Sequence, residues 1–166
     1  MKQYPWITWI PYPHRRYFEL EGIKNEWIIT TRIDSDDMFH QNAMKHIHRG
    51  IETVIKARPE LQKFSINLIH GQIYDADTQK KRDYQHGSNM FITYAEHVIN
   101  ARPETVLCST HGYMIEKGPL FQINTGNEMW YILCHKYNLS NNYNIGTYCT
   151  EIGESIPPSF YYWDLK

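Results

Sequence analysis

Trp27-Ile28-Ile29-Thr30-Thr31-Arg32-Ile33-Asp34-Ser35-Asp36-Asp37 decides how this chain is read. It opens as an apolar, β-branched run suited to a buried strand and stops abruptly in three acids. A strand that ends at carboxylates, with a helix straight after, fixes the backbone and lets Asp34 and Asp36 turn to one side. Hard oxygen ligands in that arrangement suit Mg²⁺ or Mn²⁺. The alternative use is a helix cap, with Asp36 or Asp37 at the start of the next helix. One acid fulfils that role. Three acids beside Arg32 repel one another unless a cation stands among them, which favours the metal.

Downstream lies the clearest helix of the sequence. Met44, Ile47, Ile51, Val54 and Ile55 fall three and four apart and give one apolar face, while Lys45, Arg49, Glu52 and Lys56 take the other. Arg58-Pro59 supplies the stop. His40, His46 and His48 share no single face and are surface histidines rather than a metal pair. Residues 64–69 alternate as a strand half-buried on one face, and 71–74 continue it through a turn. Residues 75–83, with Lys80-Lys81-Arg82, suggest an exposed loop. Residues 86–94 form a glycine-containing turn into a strand, 95–101 a short helix, and 105–108 a further strand. Residues 120–123 are a brief apolar run, and 128–135 fit either a buried helix or a strand.

Upstream, residues 6–10 suggest a short strand closed by Pro11-Tyr12-Pro13, and 17–25 one short helix. Four asparagines mark residues 138–144 as a loop. The tail Ile156-Pro157-Pro158-Ser159-Phe160-Tyr161-Tyr162-Trp163 is too aromatic to stand in water and is expected to dock on its own domain or on a partner.

A length of 166 residues allows one domain, 1–166, with a sizeable core. Seventeen basic and eighteen acidic residues leave a net charge of −1 without a basic run, which disfavours nucleic acid as a partner. No stretch is apolar for long enough to span a membrane, and the first residues lack the pattern of a signal peptide. Cys108, Cys134 and Cys149 are odd in number and show no CxxC spacing, as expected of buried thiols in a reducing, cytoplasmic setting.

The acidic stretch, followed by Met38-Phe39-His40, resembles the corresponding motif of bacterial glycosyltransferases of the GT-A fold, closest to their rhamnosyltransferase group. There the segment is a strand ending in T-R-L-D-x-D-D. Met129-Trp130-Tyr131-Ile132-Leu133-Cys134-His135-Lys136-Tyr137-Asn138 is similar to a later segment of that group, and His111-Gly112 sits between the two. The resemblance covers residues 27–142. It implies an α/β fold, a mixed β-sheet with flanking helices, here a truncated GT-A domain. Complete members carry a longer Rossmann-like first half for base and ribose. Here 26 residues precede Trp27, with no glycine-rich turn.

The resemblance also implies roles. Asp34 and Asp36 become the D-x-D pair that holds Mn²⁺ or Mg²⁺ and, through it, the diphosphate of a nucleotide-sugar donor. The cation offsets charge on the departing nucleoside diphosphate. Arg32 is a second positive contact to that group, or a local partner of Asp34 or Asp37. His135 is the candidate distant metal ligand, with His111 the runner-up. Glu128 is the candidate general base toward a saccharide acceptor. Trp130 is placed to stack on a sugar face, or to pack in the core. Two other functions compete with a metal-dependent glycosyltransferase. One is a non-catalytic binding or structural subunit of the same descent, with a protein partner completing the site or receiving the tail. The other is a metal-dependent phosphoesterase drawing on Asp75, Asp77, His86 and His111.

Overall fold

The computed structural model describes residues 26–34, 36–85, 89–98, 103–109, 111–135 and 150–151. The expected elements at 6–10, 17–25, 138–144 and 156–163 lie outside the described residues. In chain order come β1 (Glu26–Thr31), β2 (Met38–Phe39), α1 (Ala43–Ala57), β3 (Lys63–Leu68), β4 (His70–Asp75), β5 (Lys80–Gln85) and β6 (Thr93–Val98). Two 3-10 helices, Val106–Cys108 and His111–Lys117, precede β7 (Leu120–Ile123), β8 (Trp130–Cys134) and β9 (Thr150–Glu151). The architecture is mixed α/β. One sheet has the order β1-β6-β3-β7 and the other β2-β8-β4-β5-β9; each mixes parallel with antiparallel pairs, and neither closes into a barrel. Among the described residues one α-helix, rather than several, flanks them.

The helix forms where its apolar spacing predicts. Ala43, Ile47, Ile51 and Val54 are buried and pack against Phe64, Ile66 and Leu68 of β3 in the main core, whereas Met44 stays exposed. Its cap differs from the expectation. Asn42 is the N-cap and no acid occupies the first turn, because β2 intervenes between the acids and the helix. Asp36 and Asp37 are therefore not cap residues.

β3 is buried on both faces. Phe64, Ile66 and Leu68 meet the helix side, and Ser65 and Asn67 are buried on the other. That second face of the sheet carries Ile92 and Tyr94, covered by Val106 and Met114 from the 3-10 segments. Ile69 alone separates β3 from β4, so one nearly continuous strand passes from the first sheet into the second. The bend leaves the Leu68 carbonyl to be satisfied by side chains: the Trp130 indole N–H and the Asn89 amide both donate to it, each at 2.7 Å.

Four other segments depart from or settle the expectations, three of them through strand pairing. Residues 80–85 form β5, antiparallel to β4 with Asp75 opposite Lys80; Asp75 accepts from the backbone N–H of Asp77 and Thr78 and closes the hairpin. Charged side chains suit a strand that is only partly covered, which is why the composition resembled a loop. Residues 95–98 continue β6 rather than begin a helix, because β6 is paired on both sides, by β1 and β3. Residues 106–108 turn into a 3-10 helix after Thr105, whose φ of 61° breaks the extended path. Residues 130–134, ambiguous by periodicity, are a strand held between β2 and β4.

Candidate functional site

β1 delivers the acids. Its last residue is fixed by a 2.9 Å hydrogen bond between the Thr31 and Thr93 hydroxyls, and Arg32 N–H donates to the Ile92 carbonyl. The chain then leaves the sheet. Arg32 Nε lies 3.4 Å from Asp34 Oδ1 with both side chains substantially exposed, so this pair is a weak, solvent-screened one. The local-partner role considered for Arg32 is thus occupied. Asp37 N–H closes a turn on the Asp34 carbonyl, and β2 then pairs with β8, Met38 opposite Tyr131 and Phe39 opposite Trp130.

That pairing brings the far end of the sequence to the acids. His135 follows β8, and its Nε2 lies 3.3 Å from Asp36 Oδ2, each side chain about a quarter to a third exposed. Two residues remote in sequence thus meet at one edge of the second sheet. Asp37 is the buried member, 4% exposed. Its Oδ1 accepts from the Leu133 N–H at 3.1 Å, and among the described residues its buried Oδ2 has no hydrogen-bond partner. Burial pushes this carboxyl up from 3.8 to about 7; the Leu133 bond opposes the rise, and Asp36 and Asp34 add to it.

The other expected site residues are placed elsewhere. Glu128 stands before the start of β8 while His135 follows its end, about 20 Å away at roughly 3.3 Å per extended residue. Glu128 instead shares the Gln72 side-chain amide with Asp83, at 3.3 Å and 2.6 Å, and lines an open cavity of about 200 Å³ with His70, Tyr84 and Asn127. Trp130 is fully buried, stacked on Phe91 with centroids 5.0 Å apart, so core packing is what its ring does in this chain. His111 opens the second 3-10 helix; its side chain, like all of His86, lies outside the described residues. Asp75 spends Oδ1 on its own hairpin.

Asp36 and His135 offer one hard oxygen, which suits Mn²⁺ or Mg²⁺, and one imidazole nitrogen, which suits softer divalent ions than Mg²⁺. Among the described residues no group of three or more His, Cys, Asp or Glu side chains stands ready to hold a metal ion. Sequence reasoning named Asp36 and His135 but missed the tie from Asp37 to Leu133. The excess of acids at 34–37 was the one available signal. No helix among the described residues is long and apolar enough to cross a membrane. Comparisons with protein-family models, curated proteins and solved structures find no match to this chain.

Proposed function

We propose that this chain is a metal-dependent glycosyltransferase-like protein of GT-A type, taking a nucleotide-sugar donor at the Asp36–His135 edge. The observation that carries the reading is the 3.3 Å approach of His135 to Asp36 across 99 positions of sequence. Two protein ligands suffice for such a role, because Mg²⁺ commonly keeps waters and takes its remaining oxygens from substrate phosphates. When bound, the cation would supply charge to offset the departing nucleoside diphosphate. Asp36 and His135 would hold it, with Asp34 on the solvent side, and Arg32 would leave Asp34 to meet a phosphate oxygen, a contact that suits its guanidinium. The general base toward the saccharide acceptor stays unassigned, since Glu128 lies at the opposite end of β8. A cytoplasmic setting accords with the unpaired Cys108 and Cys134.

The test is titration with Mn²⁺ and nucleotide-sugars, followed by calorimetry and by sugar release. Saturable, Mn²⁺-dependent binding that disappears in Asp36→Ala and His135→Ala supports the reading. Binding that is absent, or unchanged in both variants, ends it. A second reading, a non-catalytic subunit of the same descent, is favoured by the absence of a preassembled three-residue metal group among the described residues. It expects loss of a protein complex on deleting residues 156–166, with Asp34→Ala and Asp36→Ala harmless.

A further inference from the structure

β2 is only two residues long, yet it borders a five-residue strand. The ladder begins with His40 N–H donating to the Met129 carbonyl, continues through Phe39 opposite Trp130 and Met38 opposite Tyr131, and then stops. Beyond that point the acid turn peels away from β8, so the Leu133 N–H on that edge has no strand carbonyl to meet. The Asp37 side chain fills the gap: its Oδ1 takes the Leu133 N–H at 3.1 Å. Asp37 is buried and the Leu133 N–H partly so, and leaving that N–H without an acceptor costs free energy, so this contact holds the acid turn against the end of β8. On its other side β8 is held by β4, with Tyr74 opposite Leu133 and Asp75 opposite Cys134, and Ala76 N–H donates to the Cys134 carbonyl. The end of β8 is thus pinned on both edges immediately before His135 leaves it. Among the described residues, the pin on the Leu133 N–H edge is the Asp37 carboxyl.

We infer that Asp37 is the positioning residue of the candidate metal site. It does not bind the cation; it clamps the acid turn to Leu133 so that Asp36 and His135 face each other. Asp37 is itself buried, and among the described residues its Oδ2 has no hydrogen-bond partner, so Oδ1 is the atom that ties the turn to β8. The inference rests on the proposed function for its consequence, metal affinity, but the clamp itself exists without metal.

The experiment separates the two. Imidazole ¹H–¹⁵N cross-peaks of His135 are recorded without metal at one fixed alkaline pH in the wild-type chain and in Asp36→Ala, Asp37→Ala, Asp37→Leu and Asp37→Asn. Mn²⁺ binding is then followed by electron paramagnetic resonance. Asp37→Ala and Asp37→Leu should move the ring signals toward their Asp36→Ala positions and weaken Mn²⁺ by about tenfold or more, the range seen when residues behind metal ligands are removed. Asp37→Asn keeps an acceptor for Leu133 and should retain both properties. Asp37→Leu fills the same space without an acceptor and serves if Asp37→Ala fails to fold. Ring signals unchanged in Asp37→Ala or Asp37→Leu overturn the clamp. Wild-type ring signals in Asp37→Asn together with Mn²⁺ loss as complete as in Asp36→Ala overturn it too, since Asp37 would then be a ligand. If the wild-type chain binds no Mn²⁺, the proposed function falls, and the ring signals still decide the clamp.

Discussion

Replacing Asp37 with asparagine removes a buried ionisable group while keeping the acceptor for Leu133 N–H, and the consequence for stability has a definite sign. The Asp37 carboxyl moves from an ordinary 3.8 to about 7 on folding, chiefly through burial. The folded chain therefore holds this proton more tightly than the unfolded chain does. The group's contribution is fully present below about pH 4, declines as pH rises toward about 7, and is flat above that. The gap between 3.8 and about 7, at about 1.36 kcal/mol per pKa unit, makes that decline about 4 kcal/mol. Asparagine does not titrate. Its buried –NH₂, placed where Oδ2 lacks a partner, adds a pH-independent cost of about 1–3 kcal/mol.

The difference in unfolding free energy, Asp37→Asn minus wild type, should thus start negative near about pH 4 and climb by about 4 kcal/mol by about pH 8. Urea denaturation of both chains across that range measures it, and titrating groups that do not interact with Asp37 cancel in the difference. A difference that stays level with pH, or falls as pH rises, would refute the reasoning: Asp37 would then be ionised in the folded chain at no cost.

Two other perturbations test the frame around the site. A Cβ at Gly71 would stand 2.0 Å from the Trp130 ring, which is buried and cannot withdraw, so Gly71→Ala should lower stability by about 3 kcal/mol in thermal unfolding. Glu128→Gln should leave Mn²⁺ affinity within about twofold of wild type, because about 20 Å of extended chain separates Glu128 from His135; calorimetric titration of the two chains checks this.

The sequence alone determined the local facts. Period and polarity placed β1, α1 and β3, although β1 is a partly exposed edge strand, with Ile29 38% exposed, rather than the buried strand its apolar run suggests. They also singled out the acids at 34–37, since like charges packed together need a partner wherever they are. Tertiary structure decided what depends on pairing between distant strands. It made residues 95–98 a central strand, turned the charged segment at 80–85 into β5, settled 130–134 as β8, and moved the helix cap to Asn42. It also separated Glu128 from the acids, buried Trp130, and set His135 against Asp36. Those outcomes hang on which strand lies beside which, and on the direction in which each runs. No local pattern encodes that choice, because it is settled by the joint burial of residues scattered along the whole chain.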